Sequence, residues 1–170
     1  HRGGLSMKPW FPLVLALVLP ALAACGFTPL YATPGLANSL QSIEVSSANG
    51  RVGELIREHL DDGLARDLSH PARYRMDLHL TEQRFPRGLR VDNVATRYEY
   101  VLIAAYDLRS LASGAVIKSG TVRTEVTYDS ADQPYASVSA QQDAQDRAAA
   151  EAARRIQLDL ATWLAARTGP

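Results

Sequence analysis

Apolar and polar residues alternate strictly along RYRMDLHLTE, residues 73–82. Tyr74, Met76, Leu78 and Leu80 fall on one face, and Arg73, Arg75, Asp77, His79 and Thr81 on the other. A period of two predicts a strand with one buried and one wet face. ATRYEYVLIAAYDLRS (95–110) repeats the pattern, with Tyr98, Tyr100, Leu102, Ala104, Tyr106 and Leu108 on its apolar face. VIKSGTVRTEVTYD (116–129) repeats it again through Val116, Val122, Val126 and Tyr128. The short Gly-containing LASGA between these two runs predicts a hairpin. LQSIEVSS (40–47), with Leu40, Ile43 and Val45, predicts a first short strand.

The period changes to three and four over residues 51–68, where Val52, Leu55, Ile56, His59, Leu60, Leu64 and Leu68 form one stripe. That spacing predicts an amphipathic helix, with Asn49 as its N-cap and SHPA (69–72) ending it. Ser139 and Gln142 fit a capping box for an alanine-rich helix running to about Arg167. Its stripe is Ala149, Ala152, Ile156, Leu160, Trp163 and Leu164, and Leu158 points away from it. GFTPLYATPGLANS (26–39) predicts an extended tether, and QRFPRGLRVDN (83–93) a basic loop. The order is β-α-β-β-β-α. It predicts an α+β two-layer sandwich, a mainly antiparallel four-stranded sheet covered on one face by two helices.

The first 24 residues differ from the rest. Lys8 follows Met7, and PWFPLVLALVLPALAA contains no charge. A basic start, an apolar run of about a dozen residues and a small-residue end describe a secretory signal. The run is shorter than the roughly 20 residues a membrane-spanning helix needs, and Pro12 and Pro20 interrupt it. HRGGLS (1–6), ahead of Met7, is read either as a non-native addition or as lying upstream of a misassigned start. The expected organisation is a signal peptide over 1–24, a tether over 25–39 and one domain over 40–170.

The chain carries 18 basic and 18 acidic residues, which argues against a non-specific nucleic-acid binder. Without Arg2 and Lys8 the balance is 16 against 18. Cys25 is the single cysteine, so an intrachain disulfide and a cysteine zinc site are both excluded. His1, His59, His70 and His79 show no ligand spacing. The sequence contains no G-x-S-x-G, P-loop, H-E-x-x-H or paired-glycine dinucleotide turn. Neither an enzyme nor a cofactor is expected, and Asp61 and Asp62 in HLDD read as solvated helix surface. The arginines are more informative. Arg84, Arg87 and Arg90 share one loop, Arg97 opens the next strand, and Arg73 and Arg75 lie on the preceding wet face. Their planar forks match phosphate, so an anionic glycolipid would suit them. A plain solvated surface would also contain such residues.

LAAC (22–25) resembles the lipobox of bacterial lipoproteins at all four positions. That resemblance implies acylation of Cys25 on its sulfur and its new amine. Several acyl chains anchor firmly where one is marginal. Gly26, in place of aspartate, implies sorting to the outer membrane. LAACGFTPLYA then resembles the start of the lipopolysaccharide-assembly lipoproteins of the LptE family, through Cys25, Gly26, Phe27, Pro29, Leu30 and Tyr31. ATRYEYVLIAAYDL resembles the family's central strand, and YASVSAQQDAQDRAAAEAARRIQLDLATWLA its C-terminal helix. The resemblance implies a non-enzymatic partner of the outer-membrane β-barrel LptD, held to the membrane by its lipid anchor and assisting insertion of lipopolysaccharide. It also implies lipopolysaccharide contact through basic residues, for which Arg84, Arg87, Arg90 and Arg97 are the candidates. A small auxiliary or structural outer-membrane lipoprotein with another partner would share the anchor and fold class. A periplasmic hydrolase relying on His59 or His79 would need a constellation that the sequence does not display.

Overall fold

The computed structural model describes residues 35–46, 49–92, 94–130 and 132–168. The expected signal peptide, Cys25 and most of the expected tether lie outside them. Within them the order is α1 (Leu36–Gln41), β1 (Ile43–Val45), α2 (Arg51–Leu64), β2 (Tyr74–Leu89), β3 (Ala95–Ser110), β4 (Val116–Asp129) and α3 (Pro134–Thr168). The sheet has four strands in the order β1-β2-β3-β4. β1 runs parallel to β2, Ile43 opposite Tyr74. β2, β3 and β4 are antiparallel. The α+β sandwich expected from the alternation is therefore present, with a third, short helix.

Even-numbered residues of β2, of β3 and of β4 from Lys118 onward face the helices, whereas a bulge ahead of Lys118 sets Val116 opposite Arg109, exposed and off the apolar face expected for it. Met76, Leu102, Leu108 and Tyr106 are buried there with Ile56 and Leu60 of α2 and Ile156 and Leu160 of α3. Burying each such side chain contributes about 1.5–3 kcal/mol. Small residues let α3 lie close to its neighbours: Ala144, Ala148, Ala149, Ala152 and Ala153 are all buried. Gly120 has a related role on the sheet side. A Cβ there would meet the Tyr106 ring at 2.6 Å. Its absence lets Tyr106 lie against β4 and donate its hydroxyl hydrogen bond to Asp159 of α3. Lys118 completes the group, 3.3 Å from the same carboxylate. Burial, then the Asp159 carboxylate, pushes the Tyr106 phenol well above its ordinary value.

Several local expectations are corrected. β1 covers Ile43–Val45 only, because Leu36–Gln41 coils into α1 and buries Leu36 and Leu40 one turn apart. The last residues assigned to the tether, from Leu36 on, are therefore helical. α2 is capped by Gly50 at φ 88° with no side-chain cap, so Asn49 does not serve that role. It ends at Leu64, before SHPA, where Ala65 turns left-handed at φ 52° and its N–H is taken up by the last turn. Leu68 lies past that end and is 87% exposed. The expected basic loop is strand as far as Leu89. α3 begins at Pro134, five residues ahead of Ser139. Proline is tolerated there because the first helical N–H groups have no intrahelical acceptor. Leu158 is exposed, as its position off the stripe requires.

Candidate functional site at the hairpin tip

β2 and β3 each contain 16 residues, so their hairpin extends about 50 Å at a strand rise of roughly 3.3 Å. Its two ends differ. β1 pairs with β2 at Tyr74–Met76, so the N-terminal segment joins the fold at the base, away from the turn at residues 90–94. At the tip, β4 ends with Asp129 opposite Arg97, and α3 starts nearby. Arg90 Nη1 reaches Asp132 Oδ1 at 3.2 Å, and Arg84 Nη1 donates to Gln141 Oε1 at 3.1 Å. These two contacts tie the start of α3 to the hairpin.

All four candidate arginines lie at this tip, but the register divides them between faces. Arg84 is opposite Tyr100 on the helix-covered side. Arg87 is opposite Arg97 on the open side. Arg90 belongs to the turn. Three of the four have carboxylate partners. Arg87 Nη2 lies 2.6 Å from Glu99, and Arg97 Nε 3.0 Å from Asp129. Arg90 contacts both Asp132 and, at 3.6 Å, Asp92. Arg84 has no carboxylate partner among the described residues. Its guanidinium stacks over the Tyr98 ring, 4.6 Å from the centroid. Tyr98 in turn stacks against Tyr128, its partner across the strands, with centroids 5.7 Å apart. Tyr128 is 6% exposed, and its hydroxyl is buried without a hydrogen-bond partner.

One step toward the base, Glu82 accepts from the Tyr100 hydroxyl at 2.7 Å and from Gln145 at 3.3 Å. Burial, reinforced by Glu82, raises the Tyr100 phenol above its usual range. The tip also carries apolar surface. Val91 is fully exposed, and Leu89, Val94, Tyr135 and Val138 are more exposed than buried or close to it. Exposed apolar groups gathered at one end mark a contact site more than scattered ones do.

The open sheet face differs in character. Arg75, Arg87, Arg97, Arg109 and Arg123 share it with Glu44, Asp77, Glu99, Asp107, Glu125 and Asp129. It is a mosaic of both signs, with Arg75 and Arg109 both directed at Asp77, at 3.3 and 3.8 Å. Arg73 lies just ahead of β2, its guanidinium 5.6 Å from the Tyr74 ring centroid. The histidines are dispersed. His59 meets Asp146 at 3.2 Å, and His79 is exposed on the open face. Asp61 bonds to Arg57 at 2.8 Å, and partial burial lifts it above the ordinary carboxylate value against that pull. No group of three potential metal ligands exists among the described residues.

Tyr98, Tyr128 and Gln141 are the tip residues that sequence reasoning did not single out as a site. Their signal was present for the tyrosines, which occupy even positions of adjacent strands. Gln141 needed the docking of α3.

A family profile described as LptE, lipopolysaccharide-assembly, matches residues 40–160. The fold is similar to that of a protein described as a lipoprotein from Caulobacter crescentus CB15, at 54% identity and a TM-score of 0.68, covering 80% of this chain and 98% of that one. It is also similar to rare lipoprotein B from Shewanella oneidensis, at 14% identity and a TM-score of 0.57, covering 75% and 97%. A lipoprotein B from Nitrosomonas europaea matches at 13% identity and a TM-score of 0.54, covering 73% and 83%. The last two show the shared fold. No curated protein matches the chain.

Proposed function

The chain belongs to the LptE family of lipopolysaccharide-assembly proteins, and from that premise we propose that it is an outer-membrane lipoprotein that partners an LptD-type β-barrel in delivering lipopolysaccharide. It acts without catalysis. Cys25 carries the acyl chains, and the ten residues Cys25–Pro34 allow a reach of at most about 35 Å to the base of the fold.

The observation that carries the reading is the family match across 40–160, covering the whole sandwich from β1 into α3. The surface supports it. A barrel lumen is polar and wet, and the open sheet face presents interspersed charges of both signs. Such a face suits contact with a polar wall through hydrogen bonds. The sheet's other face is closed by α2 and α3, which leaves the open face and the tip available to a partner.

The test is gentle detergent extraction of the tagged, lipidated chain from outer membranes. A stoichiometric β-barrel of the LptD type co-purifying with it is the expected result. Recovery from the outer membrane with a different protein, or with none, would replace this reading by that of an auxiliary lipoprotein. Cys25→Ala should release the chain from the membrane fraction.

A further inference from the structure

Cations at the two ends of the fold are compensated differently. At the tip, Arg87, Arg90 and Arg97 lie on the carboxylates of Glu99, Asp132 and Asp129. At the base, Arg73 and Arg167 form no ion pair among the described residues. They lie over aromatic rings instead, Arg73 over Tyr74 and Arg167, 4.8 Å from the centroid, over Trp163. The carboxylate nearest to Arg73 in the preceding loop, Asp67, is already engaged by Ser69 and His70. Arg73 and Arg167 therefore leave positive charge uncompensated at the base.

Several segments converge at that end. Gln157 of α3 donates to the Gly63 carbonyl at 2.6 Å, and Asp159 meets Lys118 near the start of β4. The last turns of α3, which contain Trp163 and Arg167, therefore run on past the end of α2 at Leu64. The Leu111 N–H donates to the Arg73 carbonyl at 3.0 Å and sets the β3–β4 turn beside residues 65–73. Those residues are braced on α1. The Asp67 N–H donates to the Gln41 carbonyl at 3.1 Å, and the Arg66 guanidinium bonds to the carbonyls of Gln41, Asp67 and His70. On this fixed loop Leu68 points into solvent, and Leu111 on the turn is exposed as well. Single exposed leucines are ordinary. These share one end of the molecule with half-buried Trp163, with Arg73 and Arg167, and with the start of α1, where the chain arrives from Cys25.

We propose that the base is a membrane-docking surface whose occupant is an anionic phospholipid leaflet. Leu68 and Leu111 enter the headgroup region, and Trp163 lies at the level where tryptophan is favoured. Arg73 and Arg167 are drawn to the negative surface. This rests on the acylation of Cys25 proposed above and adds an orientation to it. The acyl chains hold the protein at the leaflet, and the base turns toward the lipid with the β2–β3 hairpin directed away. The tether of at most about 35 Å brings the base to the leaflet, whereas the tip lies about 50 Å farther along the hairpin.

Trp10 lies in the expected signal peptide, so Trp163 is the single tryptophan from Cys25 on, and its emission reports the base alone. The experiment reconstitutes the lipidated chain in vesicles of phosphatidylethanolamine and phosphatidylglycerol in equal parts, with and without bromine on the acyl chains. Emission in brominated lipid is divided by emission in plain lipid for each variant. Bromine should quench Trp163, more strongly close to the headgroup than near the chain end. Replacing phosphatidylglycerol by phosphatidylcholine should reduce the quenching. Arg73→Gln and Arg167→Gln should each lower the ratio of docked to undocked chain about fivefold, and Leu68→Asp should abolish quenching. Val91→Asp, at the tip, should leave it unchanged. All four positions are exposed, so the variants keep the fold, which circular dichroism checks. An unquenched Trp163, equal quenching in wild type and Leu68→Asp, or a loss at Val91→Asp as large as at Leu68→Asp would overturn the docking surface while leaving the acylation intact. A mass spectrum showing Cys25 without acyl chains would overturn both.

Discussion

Gly120→Ala separates two effects of opposite sign. Gly120 lies inside β4, and it is absent from the positive-φ glycines, so its backbone accepts a side chain. Glycine in a strand interior is unfavourable, and alanine there should stabilise by about 0.5–1 kcal/mol through the unfolded state. Packing argues the reverse. The new Cβ would sit 2.6 Å from Cε1, Cζ and Oη of Tyr106, a distance that carbon atoms do not sustain. Tyr106 is 1% exposed and cannot swing into solvent without vacating the core. Overpacking of this kind costs about 1–3 kcal/mol. Displacing the ring also breaks the hydrogen bond to Asp159, and bonds to a charged partner contribute about 1.5–3 kcal/mol. Lys118 still reaches Asp159, so the lower end of that range applies. The net expectation is destabilisation of about 2–4 kcal/mol after the backbone gain is subtracted. Urea denaturation of wild type, Gly120→Ala, Tyr106→Leu and the double variant gives the coupling directly. Removing the ring removes the clash, so Gly120→Ala should cost less than about 0.5 kcal/mol in the Tyr106→Leu background. A Gly120→Ala chain as stable as wild type, or costs that simply add, would refute the argument.

Other expectations follow from the same packing and electrostatics. Ile156→Ala removes a fully buried side chain between α3 and the sheet and should lower stability by about 2–5 kcal/mol in the same denaturation assay. Leu158→Ala, at an exposed position of the same helix, should change it by less than about 0.5 kcal/mol. Asp67 accepts from the Ser69 hydroxyl and from His70, which hold its carboxyl down to about 2. Its contribution to stability is therefore complete above the unfolded carboxylate value and is lost as pH falls through about 2. An NMR titration should show Ser69→Ala moving that midpoint upward, and an unmoved midpoint would exclude the hydroxyl as the main cause.

The readable parts of the sequence were those where burial imposes a period. β3 and β4 begin and end where alternation begins and ends, because each has one face in the core. β2 beyond Glu82 was not readable. Residues 83–89 are exposed on both faces, and Arg84, Pro86 and Gly88 resemble a loop in composition. That strand is held by its pairing with β3 rather than by its own burial. α1 was hidden in a segment rich in proline and glycine, with only Leu36 and Leu40 to mark it. The start of α3 did carry a signal, Pro134, which the capping box at Ser139 obscured. At the candidate site, Arg84, Arg87, Arg90 and Arg97 are near in sequence and lie toward one end of the hairpin, with Arg84 and Arg87 in strand rather than loop. Which of them carries an uncompensated charge depended on register and on carboxylates 12 to 42 residues away, Glu99, Asp129 and Asp132. No local pattern reports such partners.

The most direct test of the central claim places a photo-crosslinking residue at Thr121 on the open sheet face and, separately, at Val91 on the tip, in the lipidated chain within living outer membranes. The account predicts that both positions cross-link to a β-barrel of the LptD type, and that a residue replacing buried Leu102 does not. Cross-links from Thr121 and Val91 to another protein, or none to any barrel, would contradict it.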